Sequence, residues 1–243
     1  MELSADTTTC GFNVSCAAGN DGTATAVGLG GCPSYTFLWS NGQTTATATG
    51  LSAGTHTVTI TDGAGNTDVD TLVLNAPTAL SIGWFAATTC VGDSTGSIDL
   101  SVSGGNDCQG YSFLWSNGVT SEDLANLGSG TYTVTVTDVS GCTATSVVTV
   151  AAFSVPNPTI TQAGNTLSAG QTWVTYQWLL NGSNISGANA NSYTATQSGS
   201  YSLMVTDSNG CSAVSTPLTV TIVGITNALG DGLDLTLYPN PNH

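Results

Sequence analysis

The chain has 243 residues, with 15 Asp and Glu and no Lys or Arg, for a formal net charge of −15. With no cationic side chain to neutralise phosphate, the composition argues against nucleic-acid binding and against attraction to an anionic lipid surface. Only 6% of residues are charged while 40% are hydrophobic. The β-branched and aromatic content separates the chain from disordered sequences, and no apolar run is long enough for a membrane-spanning helix, so no direct membrane insertion is expected.

Taken in chain order, the first unit is expected over residues 1–77. Met1-Glu2-Leu3 has neither a basic nor an apolar leader character, so the sequence reads as a mature or partial chain. Cys10 and Cys16 flank an early loop, and Cys32 precedes Tyr35-Thr36-Phe37-Leu38-Trp39-Ser40-Asn41-Gly42. The run Gly54-Thr55-His56-Thr57-Val58-Thr59-Ile60-Thr61-Asp62 follows. A second unit, 78–153, repeats this plan. Tyr111-Ser112-Phe113-Leu114-Trp115-Ser116-Asn117-Gly118, Cys108 and Gly130-Thr131-Tyr132-Thr133-Val134-Thr135-Val136-Thr137-Asp138 return at one constant offset. Cys90 and Thr95-Gly96-Ser97 match Cys16 and Asp21-Gly22-Thr23 at an offset two residues shorter. A more distant third unit, 154–223, carries Tyr176-Gln177-Trp178, then Tyr201 within its late strand, then Asp207-Ser208-Asn209-Gly210-Cys211. Residues 224–243 form a linker and tail.

Each unit alternates apolar residues with threonine, the period of a half-buried strand with a Thr outer face. Asn-Gly after each Trp strand marks a tight turn, and Asp-x-x-Gly after each late strand marks another. Several short strands per unit, with one Trp early and one aromatic late, predict an all-β fold of tandem immunoglobulin-like (PKD-like) β-sandwich domains in an extended rod. Trp39, Trp115 and Trp178 are expected in the cores. Tyr132 and Tyr201 are expected as buried rings with tied hydroxyls, with His56 in that place in the first unit. Trp84 and Trp173 fall outside this register and are weak candidates for interface or ligand contacts. Prolines near 75–77 and 154–158 mark the linkers.

The seven cysteines point to an oxidising compartment, and their odd number leaves at least one free or paired between molecules. If loop geography alone decides, Cys108 lies near Cys142. Cys16 and Cys90 face the following unit, so pairing with Cys142 and Cys211 across the junctions stays open.

The pattern Gly-Gly-x-x-x-Tyr-x-Phe-Leu-Trp-Ser-Asn-Gly, followed by Gly-Thr-Tyr-Thr-Val-Thr-Val-Thr-Asp-x-x-Gly-Cys, resembles the repeats of gliding-motility adhesins of the SprB type from Bacteroidetes. Residues 156–222 look like a related Ig/PKD-like domain. Leu235-Thr236-Leu237-Tyr238-Pro239-Asn240-Pro241-Asn242 resembles the opening of a C-terminal sorting domain of type IX secretion substrates. The resemblance implies export and a secreted, cell-surface destination, and it supplies no catalytic residue.

No catalytic constellation is evident. His56 and His243 are far apart in sequence, and no Gly-x-Ser-x-Gly accompanies them. Asp62, Asp68 and Asp70 cluster in sequence and supply the hard oxygen ligands that calcium takes, although solvated turn aspartates are the blander reading. No other cofactor is implied. Thr7, Thr71 and Ser94 stand in short Asp-Ser/Thr motifs resembling a Bacteroidetes O-glycosylation signal. The expectation is a non-enzymatic surface structural or adhesive segment, with itself, other surface proteins or glycans as partners. One alternative is a filament or sheath subunit, a homopolymer built by β-strand addition or intermolecular disulfide. Another is the non-catalytic tail of a secreted hydrolase.

Overall fold

The Thr/apolar alternation forms strands throughout the computed structural model, which describes residues 1–222; among these every regular element is a strand. The chain divides into two compact units, Met1–Phe153 and Ser154–His243. The first unit holds two sandwiches. In the first of these, β1 (Glu2–Ala5), β2 (Gly22–Val27) and β4 (Thr47–Leu51) form one sheet in the order β1-β2-β4. The facing sheet is made by β3 (Thr36–Trp39), β5 (Gly54–Thr61) and β6 (Thr67–Leu74), in the order β3-β5-β6. Both sheets are antiparallel. This is the immunoglobulin-like arrangement, in which an early and a late strand flank the second strand while the Trp strand pairs with the last hairpin.

The second sandwich repeats the plan with β7 (Ser81–Ala87), β8 (Thr89–Cys90), β9 (Gly96–Ser103), β10 (Ser112–Trp115), β11 (Leu124–Leu127), β12 (Gly130–Thr137), β13 (Thr143–Val150) and β14 (Ala152–Phe153). Its sheets run β11-β9-β7 and β10-β12-β13, and β14 closes on β8 in parallel. The second unit is built from β15 (Ile160–Ala163), β16 (Thr166–Ala169), β17 (Thr175–Leu180), β18 (Ser183–Asn184), β19 (Ser192–Thr194), β20 (Gly199–Thr206), β21 (Ser212–Val214) and β22 (Leu218–Val220). One sheet is β15-β16-β19. In the other, β18-β17-β20-β21, β22 also pairs with β20. The tail at 224–243, its sorting-domain-like segment and His243 lie outside the described residues.

Each sandwich has its own core, and a tryptophan is the largest side chain in each: Trp39, Trp115 and Trp178 are at most 2% exposed. Burying an indole strands its N–H unless a carbonyl meets it. The same solution appears three times, with Nε1 of Trp39, Trp115 and Trp178 donating to the carbonyls of Thr45 (2.9 Å), Ser121 (3.0 Å) and Ala190 (3.0 Å). The Asn-Gly turns release each Trp strand into its loop. Gly42 and Gly118 take φ of 86° and 84°, a region only glycine enters without strain, and their N–H groups return to the Trp39 and Trp115 carbonyls.

A second device ties each late strand to its own approach loop. Tyr132 and Tyr201 donate their hydroxyls to the carbonyls four residues upstream, on Gly128 and Gln197, both at 3.0 Å. His56 does the same in the first sandwich, with Nε2 2.9 Å from the Ser52 carbonyl, so the bonded nitrogen carries the proton. Tyr201 is fully buried, while Tyr132 is half-buried at the edge of its core.

Two core predictions follow from these buried groups. Tyr201→Phe keeps the ring and loses one part-buried hydrogen bond, to the Gln197 carbonyl, which lowers stability by about 1 kcal/mol; Trp178→Ala lowers it by about 3–5 kcal/mol. Urea unfolding of the full chain, followed by fluorescence, checks both. A Trp178→Ala cost as small as that of Tyr201→Phe would contradict the core assignment.

Candidate functional site

The features beyond the cores gather at one end of the sandwiches, where the loop after the second strand meets the turn after the late strand. Each of these turns is the Asp-x-x-Gly segment. Asp62 Oδ1 accepts the N–H groups of Ala64 and Asn66, Asp138 Oδ1 those of Ser140 and Cys142, and Asp207 Oδ1 those of Asn209 and Cys211, all at 2.9 Å. The second carboxylate oxygen reaches across to the neighbouring loop. Asp62 Oδ2 holds the Cys32 N–H at 3.1 Å, and Asp138 Oδ2 holds the Asn106 N–H at 2.8 Å. The Asn66 side-chain amide, its backbone N–H and the N–H groups of Cys32 and Ala64 together lower the Asp62 pKa to about 2. Asp21 is likewise held below the ordinary carboxylate range by the Ser15 hydroxyl and N–H. The Tyr111 hydroxyl is raised, chiefly by burial and then by the charges of Asp107 and Asp138.

These loops decide the cysteine chemistry. The segment between β1 and β2 is pinned by Val14, which is buried in the first core, and by the N–H groups of Asn13 and Val14 donating to the Asn75 carbonyl. From that base it carries Cys10 to Cys108 and Cys16 to Cys142, with Cα–Cα distances of 5.8 Å in both disulfides. The Nδ2 of Asn106, a fully buried side chain, adds bonds to Ser140 Oγ and Thr8 Oγ1. Two covalent links therefore join the first sandwich to the loop end of the second. Cys108 and Cys142 do not bond to each other; each is bonded to the inserted loop, and Cys16–Cys142 is one of the cross-junction pairings that the sequence left open. Cys90 and Cys211 are buried and neither is a free thiol. Cys32 is free and exposed.

The three calcium candidates, Asp62, Asp68 and Asp70, are not brought together. Among the described residues no group of three or more His, Cys, Asp or Glu is placed to hold a metal. The reason is local. Asp62 spends its carboxylate on backbone donors, and Asp68 and Asp70 are exposed on β6. His56 is bonded to a carbonyl, not to a serine hydroxyl or a carboxylate. Thr7, Thr71 and Ser94 are all exposed. Trp84 is 48% exposed on β7, and Trp173 packs half-buried on the third core with its Nε1 unpartnered.

A surface that sequence reasoning did not single out is the outer face of the sheet carrying each Trp strand. In the first sandwich the rows Thr36–Thr61–Thr67, Leu38–Thr59–Val69, Thr57–Thr71 and Thr55–Val73 face outward. In the second they are Ser112–Thr137–Thr143, Leu114–Thr135–Thr145, Thr133–Val147 and Thr131–Thr149. No charged residue stands on either face. Leu38, Val69, Val73, Leu114 and Val147 are 56–61% exposed there. The period-2 alternation was the signal; what it lacked was cross-strand register, which sets these residues side by side about 4.8 Å apart.

The SprB repeat family model matches residues 12–44 and 88–120, from the loop after the first strand through the Asn-Gly turn in both sandwiches. Comparison with the curated proteins finds no match. Among solved structures, a Ca2+-stabilized adhesin that helps an Antarctic bacterium bind ice is 14% identical, with 90% of this chain and 73% of that one covered and a TM-score of 0.43. A 1.5-MDa bacterial ice-binding adhesin is 16% identical over 88% of this chain and 95% of that one, with a TM-score of 0.38. The N-terminal eight Ig domains of Down Syndrome Cell Adhesion Molecule are 14% identical, with a TM-score of 0.36; 84% of this chain is covered but only 34% of that one.

The Asp62 turn should titrate. Its carboxylate pKa is lowered to about 2 from 3.8, so its support of the turn is complete above the ordinary value and is lost as pH falls through the folded one. The amide resonances of Ala64, Asn66 and Cys32 should shift with a midpoint near that value and stay still in Asp62→Asn. A shared midpoint near the ordinary value would contradict the bonding described. Replacing Cys10 and Cys16 together by Ser should leave both cores folded while lowering the stability of the first unit by several kcal/mol, since a single link closing a loop of ~100 residues contributes about 4–5 kcal/mol. Calorimetry of the full chain in oxidised and variant forms measures this, and equal transitions would show the links to be energetically idle.

Proposed function

We propose that this chain is a secreted, non-enzymatic, cell-surface adhesive segment that presents its outer threonine faces to neutral glycans. The observation that carries the reading is the uncharged Thr/Leu/Val face displayed twice, on two sandwiches that disulfides hold together. Such a face offers methyl groups and hydroxyls in rows, matching the mixed apolar and hydroxyl surface of a polysaccharide. In a chain of net charge −15 without cations, these are the patches where an extended uncharged polymer meets no carboxylate. The disulfides support an oxidising, extracytoplasmic setting. The two SprB repeat matches support a repeat-built surface protein.

The same proposal takes the repeats as 1–77, 78–153 and 154–223. It also takes the tail as the start of a type IX sorting domain and Thr7, Thr71 and Ser94 as glycan acceptors; the sequence resemblance supports these points.

Retention on insoluble neutral polysaccharides (cellulose, chitin and mannan) and on whole bacterial cells tests the reading. Binding should be unchanged between low and high salt, because screening acts only on charge–charge contacts. The double variant Thr59→Glu/Thr135→Glu, with one charge at the centre of each face, should lose most of it. No retention on any surface, or retention that the variant leaves intact, would refute the adhesive face.

A further inference from the structure

The two sandwiches of the first unit present the same loop end, and among the described residues a disulfide-bonded loop lies on only one of the two. In the second sandwich, the end built from residues 104–111 and the turn 138–142 lies under the 6–21 segment and takes both its cysteines. The corresponding end of the first sandwich, built from 28–35 and 62–66, carries the free exposed Cys32.

The correspondence is physical and not only sequential. Gly30 and Gly31 take φ of 77° and 73°, and Gly104 and Gly105 take 78° and 65°. Tyr35 donates its hydroxyl to the Gly30 carbonyl as Tyr111 does to that of Gly104. A Cβ on Gly31 would meet Asp62 Oδ2 at 2.6 Å, and one on Gly105 would meet Asp138 Oδ2 at 2.8 Å. The next N–H, of Cys32 or Asn106, donates to that same oxygen. Cys32 therefore has the backbone position of Asn106, which is fully buried at the covered end. It also has the spacing of Cys108, three residues before the tied tyrosine. Two differences matter. The first sandwich lacks the two-residue insertion, and Asn66 stands where Cys142 makes the second disulfide. A cleft lined by Met1, Leu29, Gly31, Tyr35, Asp62 and Asp68 adjoins this end, Cys32 itself lying outside its lining, and Leu29 is 61% exposed.

We propose that this end of the first sandwich is a docking surface for the cysteine-bearing loop of another repeat of the same kind, and that Cys32 makes there the disulfide that Cys108 makes with Cys10. The occupant is read from the second sandwich, whose equivalent end holds such a loop. It is not a second copy's own loop, because Cys10 and Cys16 of every folded copy are already committed within that copy. The link forms by thiol–disulfide exchange. The Cys32 thiolate attacks the loop cysteine sulfur, which arrives as a mixed disulfide with a small thiol. The new S–S bond replaces the old one, the small thiolate leaves, and the proton from Cys32 ends on it, with no net oxidation. This inference does not depend on what the threonine faces bind.

The test uses the oxidised full chain and a peptide of residues 6–19 with Cys16→Ser, whose Cys10 is activated as a 2-thiopyridyl disulfide. Release of pyridine-2-thione gives the rate, and mass spectrometry gives the site. If the end docks the loop, its effective concentration rises, and the authentic peptide should couple to Cys32 about tenfold faster than a scrambled peptide of the same composition. That advantage should disappear in denaturant and shrink severalfold in Leu29→Ser, an exposed position whose change leaves the core untouched. Equal rates for the two peptides on the native chain would overturn the proposal. So would adducts that persist in Cys32→Ser, or a Cys32–Cys32 dimer that outcompetes the peptide.

Discussion

Carboxylates in this chain have no cationic side chain to face, and the structure answers with backbone N–H groups. Asp62, Asp138 and Asp207 each accept two N–H groups of their own turn. Asp123 accepts the Leu100 N–H, and Asp21 that of Ser15. A carboxylate in such a cap is bonded at fixed geometry and needs no counter-charge; bonds to an ionised acceptor are among the stronger ones available. The consequence is positional. Because the donors come from the turn and the facing loop together, the aspartate fixes the loop end of each of the first two sandwiches, and that end is where Cys32, Cys108 and Cys142 sit.

The tryptophan and tyrosine ties complement this from inside. A core built around an indole gains a large buried area but must place a carbonyl opposite Nε1. Here the carbonyl comes from the loop that follows the Asn-Gly turn in the first two sandwiches, and from the loop after β18 in the third. The late-strand ring is tied in the same way to a carbonyl four residues upstream. Interior packing thus sets loop conformation at one end of the strand pair, while the aspartate caps set it at the other. The disulfides then act on ends that are already shaped, and they join two separately cored sandwiches without forming either core.

Period-2 alternation, the Trp and Tyr positions and the two turn motifs were legible in the sequence, because each is a local rule whose residues lie within one hairpin. The equivalence of His56 to Tyr132 was legible for the same reason. What spacing did not carry was anything decided by loop trajectory. Cys108 and Cys142 do share an end, yet each bonds to a loop anchored by Val14 in another core, a contact between residues more than ninety positions apart. The clustering of Asp62, Asp68 and Asp70 in sequence suggested a shared metal. Asp68 and Asp70 do share one face of β6, but the preceding turn consumes the carboxylate of Asp62, and the three are not brought together around one point.

The two outer faces differ in a way that bears on the proposed adhesive reading. At equivalent rows of the last strand, Val69 faces outward where the second repeat has Thr145, Thr71 where it has Val147, and Val73 where it has Thr149. Valine and threonine have nearly the same branched shape and differ in one hydroxyl. The repeats therefore share the shape and charge neutrality of the face but not its hydroxyl pattern. A site that reads one ligand by hydrogen bonds depends on each donor and acceptor, because an unmatched buried partner costs 1–3 kcal/mol. A face that exchanges hydroxyl for methyl between repeats does not make that kind of reading. If the faces adhere as proposed, this pattern suits repeated, individually weak contact with an extended uncharged surface, in which the number of faces engaged sets the strength of attachment more than the fit of any one.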